Sequence, residues 1–166
     1  MQPLVVTLAL EAAAQARFDA LRTAHFPVAR HHLAAHVTLF HALPGEHEQQ
    51  VRRDLEEVAA TAAYDVRVTR VRSLGRGVAY DLAAAQLDAQ HRKLAGRWAP
   101  WLTPQDAQRL SAHVTVQNKA TPQAARSLLE QLTEGFEPYD VRARGLALWR
   151  YLGGPWEPLG LCPFQD

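Results

Sequence analysis

The feature that most restricts how this chain can fold is an internal repeat kept in register. Leu33-Ala34-Ala35-His36-Val37-Thr38-Leu39 returns as Leu110-Ser111-Ala112-His113-Val114-Thr115-Val116 at an offset of 77, and Tyr64-Asp65-Val66-Arg67 returns as Tyr139-Asp140-Val141-Arg142 at an offset of 75. The stretch between the matched pieces therefore differs by only two residues between the copies. Such a duplication implies two similar lobes about a pseudo-two-fold axis, with a period too long for a solenoid. The repeat runs over roughly 30–82 and 107–164, inside a single bilobal domain covering residues 1–166.

Local patterning fills in the elements. Pro3 to Leu10 reads as a strand and Glu11 to Ala24 as an alanine-rich helix with Phe18 and Leu21 at helical spacing. After a loop over His25 to Ala35 come a short strand, His36 to Phe40, the breaker Leu43-Pro44-Gly45, and an amphipathic helix over Glu46 to Ala63 carrying Val51, Leu55 and Val58 on one stripe. Tyr64 to Leu74 and Val78 to Leu82 flank Gly75-Arg76-Gly77 as a hairpin whose turn can take positive φ at either glycine. A helical pattern over Ala83 to Leu102 places Trp98 and Trp101 on one face, packed against the sheet. A strand follows at Ala112 to Gln117, then a helix from Thr121 (N-cap) and Pro122 (first position) to about Leu132, then strands Tyr139 to Tyr151 and Pro158 to Phe164. The expected fold class is α+β, with two antiparallel sheets lining a central cleft and helices outside.

Composition narrows the partners. Hydrophobic residues make up 48% and charged residues 21%, so a chain of this size can bury a substantial core. The 18 basic and 17 acidic residues nearly cancel to +1, which leaves no global field for holding a long duplex by counterion release. Cys162 is the only cysteine, so there is no internal disulfide framework. With no run near the ~18 apolar residues of a span, the expectation is a cytoplasmic monomer with no membrane partner.

The repeated His-x-Thr carries the chemistry. On a strand, residues i and i+2 share a face, so His36 projects with Thr38 and His113 with Thr115, while Val37, Leu39, Val114 and Val116 face the other way into a core. If the pseudo-two-fold brings the strands together, two imidazoles and two hydroxyls converge. Facing imidazoles across a phosphate form a general acid–base pair that needs no metal or cofactor, and hydroxyls can donate to the non-bridging oxygens.

These residues resemble the 2H phosphoesterase superfamily, defined by two His-x-Thr/Ser-x motifs with x apolar, here HVTL at 36–39 and HVTV at 113–116. HVTLF followed by LPGE is similar to the first motif of the bacterial RNA ligase-like, 2′,3′-cyclic phosphodiesterase branch, and GGPWEPLGLCPF is similar to its closing hairpin. The resemblance implies a bilobal α+β fold and attack on cyclic or 2′–5′ phosphodiesters of nucleotides or RNA ends. It carries His36 and His113 over as the acid–base pair and Thr38 and Thr115 as phosphate ligands, with His36 protonating the leaving 3′ oxygen and His113 activating water. Pseudo-symmetry leaves the two roles interchangeable on sequence grounds. The chain departs from the branch in offering Ala29-Arg30-His31-His32 in place of an Arg-Trp pair, and Ala112 before the second histidine where proline is common.

Substrate-binding candidates are Phe40, placed by alternation on the face of His36 and Thr38 for stacking on a base, and Lys119, Arg76 and Arg150 as phosphate ligands. Core packing is an equal reading of Phe40. His25, His31, His32, His41 and His47 crowd the first motif, but their spacing fits no zinc site. The expected partner is a nucleotide or RNA-end phosphodiester. Hydrolysis of a 2′,3′-cyclic phosphate to a 2′-phosphate leads, with 2′–5′ ligation and a non-catalytic nucleotide- or RNA-end-binding module as alternatives.

Overall fold

The computed structural model describes residues 1–26 and 33–166. Its helices and strands follow in the order β1 (Leu4–Leu10), α1 (Ala12–His25), β2 (Val37–Leu43), α2 (Glu48–Ala59), β3 (Tyr64–Ser73), β4 (Val78–Ala83), α3 (Ala85–Arg97), β5 (His113–Gln117), α4 (Pro122–Thr133), β6 (Tyr139–Tyr151) and β7 (Trp156–Pro163). Ala29, Arg30, His31 and His32, where the chain departs from the branch pattern, lie outside the described residues.

The expected α+β class and antiparallel pairing are what the structure has, with one continuous sheet in place of the two expected because β6 pairs with strands of both halves. All named strands join one curled sheet in the order β2-β1-β6-β3-β4-β5, with β7 added to β6. The long β6 serves both lobes: its first part, Tyr139 to Ala143, pairs with β3, and its remainder, Gly145 to Tyr151, lies between β1 and β7. The edge strands β2 and β5 come into contact at the open end of the curl. Helix α2 packs on β6 and β7, α4 packs on β3 and β4, and α1 crosses over to β5.

Local sequence explains where elements stop. Thr121 caps α4 through its hydroxyl, which accepts from Ala124 N at 3.1 Å, and Pro122 opens the helix. The β3–β4 turn uses its glycines differently: Gly75 takes φ +82°, whereas a Cβ on Gly77 would sit 2.0 Å from the Gln117 carbonyl. Helix α3 ends at Arg97, short of the expected Leu102, because Ala99-Pro100-Trp101 tightens into a 3-10 turn. Both indoles still pack on the core, Trp101 from the 3-10 turn. Trp98 is sealed in the core, and Trp101 stacks on His47 with centroids 4.0 Å apart.

One irregularity decides which residues face the cleft. β1 pairs Thr7 with Thr38 but Val6 with Phe40, so β2 carries one extra residue just after its His-x-Thr. β4 pairs Ala79 with Thr115 but Val78 with Gln117, which is the same bulge at the same motif position. A bulge resets the two-residue alternation. Phe40 is therefore turned inward: it is fully buried, lies flat on the His91 ring at 4.6 Å, and meets Trp98 edge-on at 4.9 Å. The expectation that Phe40 faces the cleft is corrected, and the stacking role with it.

Candidate active site

The two motif histidines are held alike. His36 Nδ1 lies 2.8 Å from the Ala34 carbonyl, and His113 Nδ1 lies 2.9 Å from the Ser111 carbonyl, each two residues back along the chain. A carbonyl can only accept, so each Nδ1 carries the hydrogen and each Nε2 is left as the reactive nitrogen. Both rings are partly exposed, whereas Val37, Leu39, Val114 and Val116 between and after them are buried. Thr38 and Thr115 are partly exposed on the same side as their histidines.

Helix α1 positions both motifs, a role the sequence patterning did not reveal. Asp19 Oδ1 accepts from Ala35 N at 2.7 Å, and Gln15 Nε2 donates to the Ala35 carbonyl at 2.8 Å, fixing the backbone just before His36. One turn further, the buried Arg22 donates Nη1 to the Thr115 carbonyl at 2.8 Å and Nε to the Leu33 carbonyl at 3.2 Å. Arg22 thus bridges the second motif to the approach of the first. Gln15, Asp19 and Arg22 recur at helical spacing on one face, which is the signal that was available.

This surrounding sets the charge state of His36. Its pKa is pushed down to about 4, chiefly by burial; the Ala34 hydrogen bond works against the drop, and positive charge on Arg22, His113 and His41 adds to it. His113 is therefore within electrostatic reach of His36. Trp156 from β7 packs against the His36 ring with centroids 4.5 Å apart.

Among the described residues, two of the cavities that meet the motifs are large enough to hold a ligand. One, of about 250 Å³, is lined by Thr38 and His113 together with Gln105, Asp106, Gln108 and Arg109 from the loop before β5. That loop is pinned to β2 by Asp106, which is buried and accepts from His41 N (2.9 Å), Ala42 N (3.0 Å) and His41 Nδ1 (3.0 Å). Burial pushes the Asp106 carboxyl up, but the bonds from His41 and Ala42 outweigh it and hold the group below the usual carboxylate range. Asp106→Ala orphans these donors and is expected to lower unfolding free energy by about 1–3 kcal/mol. An unchanged urea midpoint would contradict this. The other cavity, of about 440 Å³, opens beside His36 between α1 and the indoles of Trp149 and Trp156.

The remaining sequence candidates fall elsewhere. Arg150 is opposite Leu4 on the helix side of the sheet and is paired with Glu48 of α2 and, at 3.4 Å, with Glu157, so the structure corrects its reading as a cleft phosphate ligand. Arg76 ties the β3–β4 turn to the segment after β5, its Nε donating to the Ala120 carbonyl at 2.9 Å. Lys119 is exposed in a left-handed turn, φ 55°, beyond β5. Neither lines the 250 Å³ or the 440 Å³ cavity. Among the described residues, no group of three or more His, Cys, Asp or Glu is placed to hold a metal ion, and no helix is long and apolar enough to cross a membrane. His31 and His32 lie outside the described residues.

Comparison with known proteins agrees with this architecture. None of the curated proteins compared matches the chain. Among solved structures, it is similar to TT0787 of Thermus thermophilus (17% identity, TM-score 0.64, covering 98% of this chain and 97% of that one). It is also similar to a protein described as a phosphoesterase (16% identity, TM-score 0.63, 99% of each chain). A third is E. coli LigT in complex with 3′-AMP (17% identity, TM-score 0.58, 99% of each chain). At these identities the likeness concerns the fold. The family model of the 2′-5′ RNA ligase superfamily matches residues 10–155, both His-x-Thr strands included, and the chain belongs to that superfamily.

Proposed function

We propose that the protein hydrolyses a 2′,3′-cyclic phosphodiester, on an RNA end or a small nucleotide, to a 2′-phosphate by proton transfers between two histidines. The observation that supports this most directly is the matched presentation of the two rings, each tied at Nδ1 and free at Nε2. In the reaction, water oxygen bonds to phosphorus as the bond to the 3′ oxygen breaks. One imidazole takes the water proton and the other gives a proton to the leaving oxygen, so charge and atoms balance. Thr38 and Thr115 donate to the non-bridging oxygens, where charge builds.

The electrostatics favour an order of roles opposite to the one carried over from the resemblance. An imidazole held neutral at neutral pH is the ready acceptor, so His36 is assigned as the base and His113 as the acid. Because kcat/KM follows the free enzyme, its acid limb is expected below pH 5, controlled by the His36 value of about 4. Above that limb His36 is neutral and competent; as pH falls through it, the rate falls about tenfold per unit. A bound phosphate anion raises the same pKa, so the acid limb of kcat should lie higher. An acid limb of kcat/KM between pH 6 and 7 would reject His36 as the base.

The activity itself is tested by incubating the protein with 2′,3′-cyclic nucleoside monophosphates in EDTA and following products by phosphorus NMR. Appearance of the 2′-phosphate is expected. Nucleotide binding with no turnover would replace the reading with a binding module. The family description favours 2′–5′ ligation as a second reading, since the same pair can take the proton of a 5′ hydroxyl that attacks the cyclic phosphorus in place of water and give one to the leaving 3′ oxygen.

A further inference from the structure

We propose that the cavity beside His36 is a nucleobase subsite selective for guanine, an inference that rests on the nucleotide substrate class proposed above. At about 440 Å³ the cavity is within the range of small-molecule sites. One wall is aromatic: the Trp149 and Trp156 indoles lie with centroids 6.0 Å apart, and Trp156 also touches the His36 ring. Indole faces hold any base by stacking, which supplies affinity without choice. Its position against His36 places such a base next to the proposed phosphate site.

The opposite wall, from α1, supplies the choice. Gln15 Nε2 gives its two hydrogens to Asp19 Oδ1 at 3.0 Å and the Ala35 carbonyl at 2.8 Å, which fixes its amide orientation and leaves Oε1 as the free end. Asp19 Oδ1 is occupied by Gln15 and by Ala35 N, which leaves Oδ2. This wall thus offers two side-chain acceptors, one of them charged, and no side-chain donor. Across the cavity the Trp149 indole N–H is already given to Thr7 Oγ1 at 2.9 Å. Guanine carries two adjacent donors, N1–H and the 2-amino group, which match the two acceptors this wall leaves open, Asp19 Oδ2 and Gln15 Oε1. Adenine and cytosine set a ring-nitrogen acceptor beside a single amino group, and uracil flanks its N–H with carbonyls, so each would turn a lone pair toward Asp19.

The test is kcat/KM for the four 2′,3′-cyclic nucleotides with the wild-type protein and D19N. In D19N the amide oxygen still accepts from Ala35 N and Gln15, while an N–H₂ replaces the free carboxylate oxygen. Cyclic GMP is expected to lead the other three by at least about tenfold in the wild type, and D19N to erase that lead. Equal rates on all four substrates would overturn the guanine subsite and leave hydrolysis standing. A lead that persists in D19N would overturn the role of Asp19. If no cyclic nucleotide turns over, hydrolysis fails on its own. The subsite is then decided by titrating 3′-GMP against 3′-AMP by calorimetry, tighter binding of 3′-GMP supporting it and equal affinity overturning it.

Discussion

Replacing either motif histidine is expected to lower the rate of 2′,3′-cyclic nucleotide hydrolysis by about 10²–10⁴-fold, the usual value of one positioned proton transfer. His36→Asn and His113→Asn are the informative variants. An asparagine nitrogen can keep the bond to Ala34 or Ser111 that orders each loop, while the reactive Nε2 disappears. The double variant should lose far less than the product of the single losses, because the two rings act as a unit. Steady-state rates alongside circular dichroism of each variant check the point. A folded single variant at full rate would remove that histidine from the chemistry.

The second large effect concerns stability. Trp98 is fully buried, meets Phe40 edge-on, and donates its indole N–H to Asp54 Oδ2 at 2.8 Å. Asp54 is itself buried on α2 and also takes Arg97 Nη1 at 3.0 Å, so this group locks α2 to the end of α3. Trp98→Ala is expected to cost about 3–5 kcal/mol in denaturant unfolding through lost burial and the cavity left behind. Trp98→Phe keeps most of the packing and removes the donor, so its cost should be smaller, about 1–3 kcal/mol. Equal losses for the two variants would show that the hydrogen bond, and not the ring volume, carries the effect.

Much of this molecule is legible in the sequence because its signals are local or repeated. Thr121-Pro122 opens α4 as expected, Gly75 turns the hairpin, and the alternation around His36 and His113 buries the four apolar neighbours. What escapes depends on register between distant segments. Strict alternation places Phe40 in the cleft, and only the pairing of β1 with β2 exposes the extra residue that turns it inward. Arg150 looks available in the sequence because its partner Glu48 is far away along the chain, and Arg22 looks like an ordinary helix-surface arginine although it reaches Thr115. Trp149 is recoverable, since alternation along β6 sets it opposite Arg150 and on the side of Thr7.

The sharing of β6 has a consequence for synthesis. Until residues 139–151 have emerged from the ribosome, β1 and β3 each lack a neighbour, so neither lobe can close its sheet. From the emergence of β3 to that of β6 the growing polypeptide must carry two unsatisfied edges, the state in which strands are most prone to pair with the wrong chain. Both halves thus mature together and late, even though the first repeat is made long before the second.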